Sequence, residues 1–174
     1  MNQHAERGAE AAAMQAVEEH HAGMLKELSG LAASLIGSVE SGDSAAEEKA
    51  RGTLLAWCDS ELIPHALAEE GPLYSGPRST PEGKLLVEGM LSEHKVIVGL
   101  VEELRSSRGV PAAVAGDAIR RIFALHLDKE NRLLMPFIVQ SPTMSLAEAV
   151  SGLHELVGEH SPDHHRHHHA RSAE

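Results

Sequence analysis

Apolar residues recur at every third or fourth position along most of the chain, and no segment keeps a regular alternation of apolar and polar residues. This spacing is typical of amphipathic α-helices, which turn one apolar stripe toward a core. Alanine, leucine and glutamate, which favour helices, are abundant throughout. The pattern therefore predicts an all-α protein.

Residues that start and end helices divide this pattern into four long helices and a short one. The predicted helices are A (9–36), B (44–71), C (80–109), D (111–140) and E (145–158). Helices B and E begin with capping-box sequences at Ser44 and Ser145, and helix C begins with Thr80 followed by a proline. Pro136 is expected to bend or close the last turn of helix D. Short connections between the long helices predict an up-and-down four-helix bundle, with helix E packed outside it or capping it.

The chain of 174 residues is long enough for one domain with a substantial core and short for two. We assign residues 1–159 to a single helical-bundle domain. Residues 160–174 carry six of the 13 histidines and no apolar pattern, which predicts a disordered His-rich tail. This tail is compatible with metal handling, with a simple solvated segment and with an expression tag.

Charge and composition exclude several classes of function. A net charge of −11 at pH 7 disfavours binding of nucleic acid or of an anionic membrane surface. Cys58 is the single cysteine, so no disulfide can form within the chain. The polar, acidic N-terminus lacks the basic start and apolar run of a secretory signal, and no apolar stretch is long enough to span a bilayer. These features predict a cytoplasmic protein without nucleic-acid or membrane partners.

Histidines and glutamates on the apolar faces of the helices carry the candidate chemistry. Residues four apart share one face of a helix, so His65 and Glu69 point the same way, as do His126 and Glu130. Most neighbours of these residues at helical spacing are apolar, and the same holds for His94 on helix C. We therefore expect all five side chains to face the core.

On helix A, two adjacent histidines are candidates for the corresponding position. The residues three, four, seven and ten positions after His21 are all apolar. The same offsets from His20 reach two glycines and a glutamate. The apolar match favours His21, with His20 as the alternative.

The convergence of four histidines and two glutamates on inward faces indicates a metal centre. Burying an unpaired carboxylate is costly, and no lysine or arginine lies on these stripes to pair with both glutamates. Imidazole and carboxylate are metal ligands, and six of them exceed the four of a structural zinc site and suit two metals. A buried polar network without metal is the alternative. The predicted ligands are His21, His65, Glu69, His94, His126 and Glu130.

The order and spacing of these residues resemble the hemerythrin family, specifically the bacterial hemerythrin-like (HHE) cation-binding domains with the pattern H-HxxxE-H-HxxxE. The resemblance covers about residues 17–157 and includes the phrases ELIPHALAEE, SEHKVIVGL and HLDKENRLLMPFI. It implies a non-haem centre of two iron ions with an oxo or hydroxo bridge. The implied ligands divide into His21 and His65 for one iron, His94 and His126 for the other, and Glu69 and Glu130 as bridges.

Two departures from the oxygen-carrying hemerythrins bear on function. Those carriers have a fifth histidine one turn from the third-helix ligand, where this chain has Met90 and Val98 on either side of His94. Their second carboxylate is an aspartate five residues after the histidine, whereas Glu130 follows His126 by four. The resemblance thus implies a centre that reacts with hydrogen peroxide, dioxygen or nitric oxide, with catalase-like decomposition of peroxide favoured. Non-enzymatic binding or sensing of oxygen or nitric oxide, and iron storage or buffering, are the alternatives.

Four further residues near these motifs receive structural interpretations. Tyr74 is predicted to be a half-buried aromatic residue at a helix end, with a donor or ligand to the cluster as the alternative. Glu70 is predicted to be a solvated charge at a helix end, with a supporting role to the His65 site as the alternative. Cys58 lies on the stripe of His65 and is predicted to be an inert core thiol. His154 is predicted to be a surface or packing residue.

Overall fold

A computed structural model of the protein describes residues 3–158. The helices in this range are α1 (Gln3–Ser41), α2 (Ser44–Trp57), α3 (Ile63–Glu70), α4 (Ser75–Arg78), α5 (Pro81–Ser106), α6 (Val110–Lys129), α7 (Met135–Gln140), α8 (Leu146–Val150) and α9 (His154–Val157). Two π-helical turns, Cys58–Leu62 and Glu130–Leu134, join α2 to α3 and α6 to α7. This range contains no β-strand, so the all-α prediction is confirmed. None of its helices is both long enough and apolar enough to cross a membrane.

The bundle is built from α1, from α2 continuing into α3, from α5, and from α6 continuing into α7. Helix α1 packs against α2 and α6, and α5 packs against α6, α2 and α3. Each of these long segments therefore has two neighbours in a closed ring. Short connections make consecutive segments antiparallel, which is the arrangement of an up-and-down bundle.

The buried apolar side chains form two clusters, and a polar layer separates them. One cluster includes Leu28, Ile97 and Phe123, and the other includes Val17, Val87 and Leu134. Full burial of a large apolar side chain contributes about 1.5–3 kcal/mol relative to exposure. His21 on α1 and His94 on α5 each lie in sequence between members of the two clusters. Apolar packing on both sides thus holds the polar layer in place.

The π-helical turns show how the long segments accommodate internal prolines. Pro64 and Pro136 each occupy the second position of the helix that follows a π turn. A proline has no main-chain N–H to donate, and its ring clashes with the carbonyl group four residues earlier in a regular helix. In the first π turn, the N–H of Ile63 donates to the carbonyl oxygen of Cys58, five residues back. The wider turn keeps both segments continuous, so Pro136 does not end its helix.

The second π turn also changes which side chains face the core. The apolar pattern places Leu133 and Leu134 together on the stripe of His126, but Leu134 is buried and Leu133 is 45% exposed. Both leucines lie within this turn, whose wider spacing rotates its side chains relative to those of a regular helix. Val98, which the pattern places on the stripe of His94, is 44% exposed because it lies at the edge of the apolar face of α5.

The starts of α2, α5, α6 and α8 lie within one residue of their predicted positions, whereas α1 begins at Gln3, six residues before its predicted start. The side chains of Thr80 and Ser145 accept main-chain N–H groups and cap α5 and α8, as predicted. Ser44 does not cap α2, because the carboxylate of Asp43 accepts the N–H of Ala46 instead. Aspartate is as favourable a cap as serine, and its negative charge also suits the N-terminal end of the helix dipole.

The prediction of one continuous helix E is wrong. Gly152 has a φ of +73°, which a helix cannot contain, and it separates α8 from α9. Leu156 is fully buried, and α9 packs against α1 and α3. The chain therefore returns over the bundle after α8. Residues 160–174, predicted as a disordered tail, lie outside the described range.

Two side chains interpreted as structural occupy the expected environments. Cys58 is fully buried, and burial raises the pKa of its thiol to about 12, so the thiol stays protonated at neutral pH. This state fits an inert core thiol. His154 lies on the surface at the start of α9.

Candidate metal centre

All six predicted side chains are buried in the polar layer. Within residues 3–158, the buried histidine, acidic and basic side chains are these six and Arg51, which pairs with Glu48 elsewhere. Each of the six is at most 3% exposed. The contributing elements are α1 for His21, α3 for His65 and Glu69, α5 for His94, α6 for His126, and the second π turn for Glu130.

The two adjacent histidines of α1 take different positions. His21 is 1% exposed, and its Nε2 atom lies 3.9 Å from Oε2 of Glu130. His20 is half-buried at the edge of the layer, with its ring centroid 5.7 Å from that of His65. The apolar pattern therefore selected the histidine that faces inward.

One group of side chains brings together the atoms of His21, His65, Glu69 and Glu130, all within 4.8 Å of one another. Nε2 of His65 and Oε1 of Glu69 lie 2.6 Å apart but are not aligned for a hydrogen bond. Nε2 of His21 and Oε2 of Glu130 also lack a hydrogen-bond partner. A buried polar atom without a partner costs about 1–3 kcal/mol. These atoms therefore face a space that a cation could fill.

A second group contains Glu69, His94 and His126, again with their atoms within 4.8 Å of one another. The Nε2 atoms of the two histidines are 3.0 Å apart. Oε2 of Glu69 lies 3.9 Å from Nε2 of His126, while its Oε1 faces His65. Oε1 of Glu130 lies 2.7 Å from Nε2 of His126. Both carboxylates therefore lie between the two groups.

The preferred prediction, that Tyr74 is a half-buried residue at a helix end, is wrong, and the geometry agrees with the alternative of a donor to the cluster. Tyr74 is fully buried, and its hydroxyl donates to Oε2 of Glu69 at 2.8 Å. The hydroxyl oxygen also lies 2.9 Å from Nε2 of His126, and the tyrosine ring stacks on the ring of His94. Burial and the charge of Glu69 raise the pKa of Tyr74 well above its usual value, so the hydroxyl keeps its proton.

Each of the four histidines has a partner at Nδ1, which turns its Nε2 atom toward the layer. The pairs are His21 with Oδ1 of Asn131 at 2.8 Å, His65 with the main-chain oxygen of Glu155 at 2.7 Å, His94 with Oε1 of Glu70 at 3.0 Å, and His126 with Oε1 of Glu93 at 3.1 Å. Histidines that bind metals usually have such a partner. Glu70, predicted as a solvated charge, is 39% exposed but still contacts His94. The other three partners are absent from the predicted site, because a pattern along one helix does not show contacts between helices.

The electrostatics of the layer show a shortage of positive charge. Within residues 3–158, the ion-pair partners of Glu69 and Glu130 are histidines, with no lysine or arginine. Burial and the charge of Glu69 raise the pKa of Glu130 well above its usual value. Burial opposes the ionisation of Glu69, but the charge of His65 and hydrogen bonds hold the pKa of this carboxyl well below its usual value.

The histidines respond to the same charges. Burial lowers the pKa of His21 to about 4, so this ring is neutral at pH 7. Burial also opposes protonation of His65, but Glu69 raises its pKa to about 9. His126 is likewise buried, and its contacts with Glu130 and Glu69 raise its pKa to about 11. Without a metal, the carboxylates therefore retain protons on two histidines.

Comparison with known proteins connects this layer to a family. The chain matches the model of the hemerythrin HHE cation-binding domain over residues 12–138, a range that contains all six side chains and ends before α8. Searches of curated proteins and of solved structures gave no match. The family match agrees with the two groups of inward-facing histidine and glutamate atoms. The chain therefore belongs to the family of hemerythrin HHE cation-binding domains, which bind metal.

Proposed function

We propose that the polar layer holds two iron ions and that the protein decomposes hydrogen peroxide, as a catalase does. The observation that carries this proposal is the set of buried, unpartnered atoms of His21, His65, Glu69 and Glu130, beside which the Nε2 atoms of His94 and His126 lie 3.0 Å apart. The proposed ligands are His21 and His65 for one iron, His94 and His126 for the other, and Glu69 and Glu130 shared between them.

The spacing of the donor atoms supports this assignment. A nitrogen ligand lies about 2.0–2.1 Å from a transition-metal ion such as zinc, so two such ligands at a right angle lie about 3 Å apart. The Nε2 atoms of His94 and His126 are 3.0 Å apart. Nε2 of His65 and Oε1 of Glu69 are also close, yet they are not hydrogen-bonded. Both pairs suit two donors to one cation.

Charge supports the same conclusion. Two buried carboxylates repel each other, and the raised pKa of Glu130 reflects this repulsion together with burial. A metal cation would replace the protons of His65 and His126 and allow both carboxylates to ionise. Imidazole and carboxylate together are ligands that suit iron.

Iron in this layer would supply one-electron oxidation and reduction between the ferrous and ferric states. The side chains of the chain supply a confined environment for that chemistry. Apolar clusters on both sides of the layer limit the entry of water. The hydroxyl of Tyr74 lies 2.8 Å from Glu69 and keeps its proton, so it can donate a hydrogen bond to a small molecule that enters the layer.

The test compares wild-type protein with Glu130→Ala, using Glu61→Ala as the matched control. Glu61 is exposed and lies one turn before His65. We expect about two irons per chain in the wild type and the control, and oxygen evolution from peroxide faster than that of the same amount of free iron. The Glu130→Ala variant should lose iron and this activity.

The same measurements can contradict the proposal. A folded wild-type protein that binds zinc and no iron would exclude an iron centre. Activity that survives Glu130→Ala would exclude the layer as the reactive site. Reversible spectral change with dioxygen or nitric oxide, without turnover of peroxide, would support a binding or sensing protein instead. Binding of further iron that depends on residues 160–174 would support storage.

A further inference from the structure

The four histidines of the layer differ in the charge of the groups at their Nδ1 atoms. Nδ1 of His94 lies 3.0 Å from the carboxylate of Glu70, and Nδ1 of His126 lies 3.1 Å from the carboxylate of Glu93. These two histidines belong to the same group of candidate ligands. Acidic side chains therefore contact the Nδ1 atoms of one group of candidate ligands.

Neutral groups contact the Nδ1 atoms of the other two histidines. Nδ1 of His21 lies 2.8 Å from the amide oxygen of Asn131, and Nδ1 of His65 lies 2.7 Å from the main-chain carbonyl oxygen of Glu155. These two histidines also share a group of candidate ligands. The contrast in charge therefore lies between the two groups.

Of the two acidic partners, Glu93 is the better shielded from solvent. Its side chain is 15% exposed, whereas that of Glu70 is 39% exposed. Solvent and salt therefore screen the charge of Glu70 more strongly. The Nζ atom of Lys129 lies 3.1 Å from Oε2 of Glu93, which offsets part of its charge and holds the carboxylate in place against His126.

A carboxylate behind an imidazole does more than orient the ring. When its N–H donates to a carboxylate, the ring becomes a stronger electron donor to a metal at the opposite nitrogen, and loss of such a partner typically costs 10–100-fold in metal affinity, as an order of magnitude. A neutral carbonyl oxygen orients the ring without adding charge. Glu69 and Glu130 do not cancel this difference, because each directs an oxygen toward both groups.

We propose that the two metal positions are unequal, and that the position held by His94 and His126 fills first and binds its ion more tightly. The inference rests on the proposed function, since it presumes two metal ions in the layer. Glu93 is then a positioning residue that sets the order of loading through His126. Asn131 plays the corresponding neutral role behind His21.

The test is a titration of the full-length metal-free protein with Co²⁺. Calorimetry measures the binding steps, and NMR detects the imidazole N–H protons whose signals are shifted by the paramagnetic ion. We expect two separate binding steps in the wild type. Glu93→Gln keeps an acceptor oxygen and removes the charge, so it should weaken the first step by about 10–100-fold and leave the second unchanged. Asn131→Ala should weaken the second step alone. The N–H signals that appear in the first step should move in Glu93→Gln and stay in place in Asn131→Ala.

Three outcomes would overturn the inference. The first is a single class of equal sites in the wild type. The second is a Glu93→Gln variant that loses affinity in the second binding step only, and the third is a Glu93→Gln variant that loses affinity equally in both steps. The last outcome would also be the signature of a merely structural role for Glu93. Asn131→Asp adds a carboxylate behind His21 and should bring the two affinities closer together, so an unchanged gap counts against the inference as well. A folded wild-type protein that binds no Co²⁺ would instead contradict the proposed metal centre itself.

Discussion

The Nδ1 atom of His65 lies 2.7 Å from the main-chain carbonyl oxygen of Glu155, ninety residues later in the chain. Glu155 belongs to α9, which lies beyond residues 12–138, the range that matches the family model. The contact orients a histidine of the polar layer and keeps its Nε2 atom directed inward. A segment outside the matched range therefore helps to form the candidate centre.

Removing the anchor of α9 should weaken the metal centre. Leu156 is fully buried, and replacing a buried leucine by alanine lowers the free energy of unfolding by about 2–5 kcal/mol. Since α9 has four residues, it has few other contacts to hold it in place. We expect Leu156→Ala to release α9 and to lower metal affinity in one of two binding steps. Hydrogen exchange of the segment and metal titration measure the two effects. Leu85→Ala, at a position that is 84% exposed, is the control and should change neither. Faster exchange with unchanged metal binding would show that the Glu155 contact does not support the site.

The neighbouring histidines of α1 provide a matched pair of variants. His21 is buried in the layer, whereas His20 is half-buried at its edge. We expect His21→Ala to lower the bound metal from about two ions per chain to about one, because it removes one of two imidazoles from that position. His20→Ala should retain both ions. Metal analysis after gel filtration measures this difference, and the reverse pattern would assign the ligand role to His20.

The sequence predicts the part of the site that depends on helical periodicity. A residue on the apolar stripe of a regular helix is buried, so the six polar members of the layer could be found from their neighbours. Leu133 is wrongly placed because it lies within the π turn, where the side chains are rotated relative to those of a regular helix. Tyr74 lies in the turn after α3, where no helical period applies. Asn131 and Glu155 contact their histidines only through the packing of separate helices.

Metal affinity should rise with pH between about 6.5 and 9. The pKa of His65 is raised from 6.5 to about 9 in the metal-free layer, where Glu69 favours the protonated ring over the opposing effect of burial. This ion pair stabilises the metal-free fold fully below pH 6.5, and the contribution is lost as the pH rises through about 9. Metal requires the neutral ring, so binding must displace that proton at lower pH.

Calorimetry in buffers of different ionisation enthalpy measures the displaced protons. We expect metal binding at pH 7 to release protons from His65, His126 and the carboxyl of Glu130, and the number to fall by about one as the pH rises through about 9. The difference in melting temperature between metal-loaded and metal-free protein should widen over the same range. A metal affinity independent of pH would contradict the assignment of His65 as a ligand. His154→Ala, at an exposed surface position, is the control and should leave the pH profile unchanged.

The hydroxyl of Tyr74 should stabilise the metal-free layer measurably. It donates to Oε2 of Glu69 at 2.8 Å inside the bundle, and removing it leaves that oxygen without its donor. Loss of one partner from a buried hydrogen bond costs about 1–3 kcal/mol, so Tyr74→Phe should lower the free energy of unfolding by that amount while the helical content is kept. Denaturant titration followed by circular dichroism measures the change.

Tyr74 is the single tyrosine, so tyrosinate absorbance in the wild type reports this residue alone, and its pKa should lie well above 10 until the protein unfolds. Ionisation near pH 10 in the folded protein, or equal stability of the two proteins, would show that the hydroxyl is not held by Glu69.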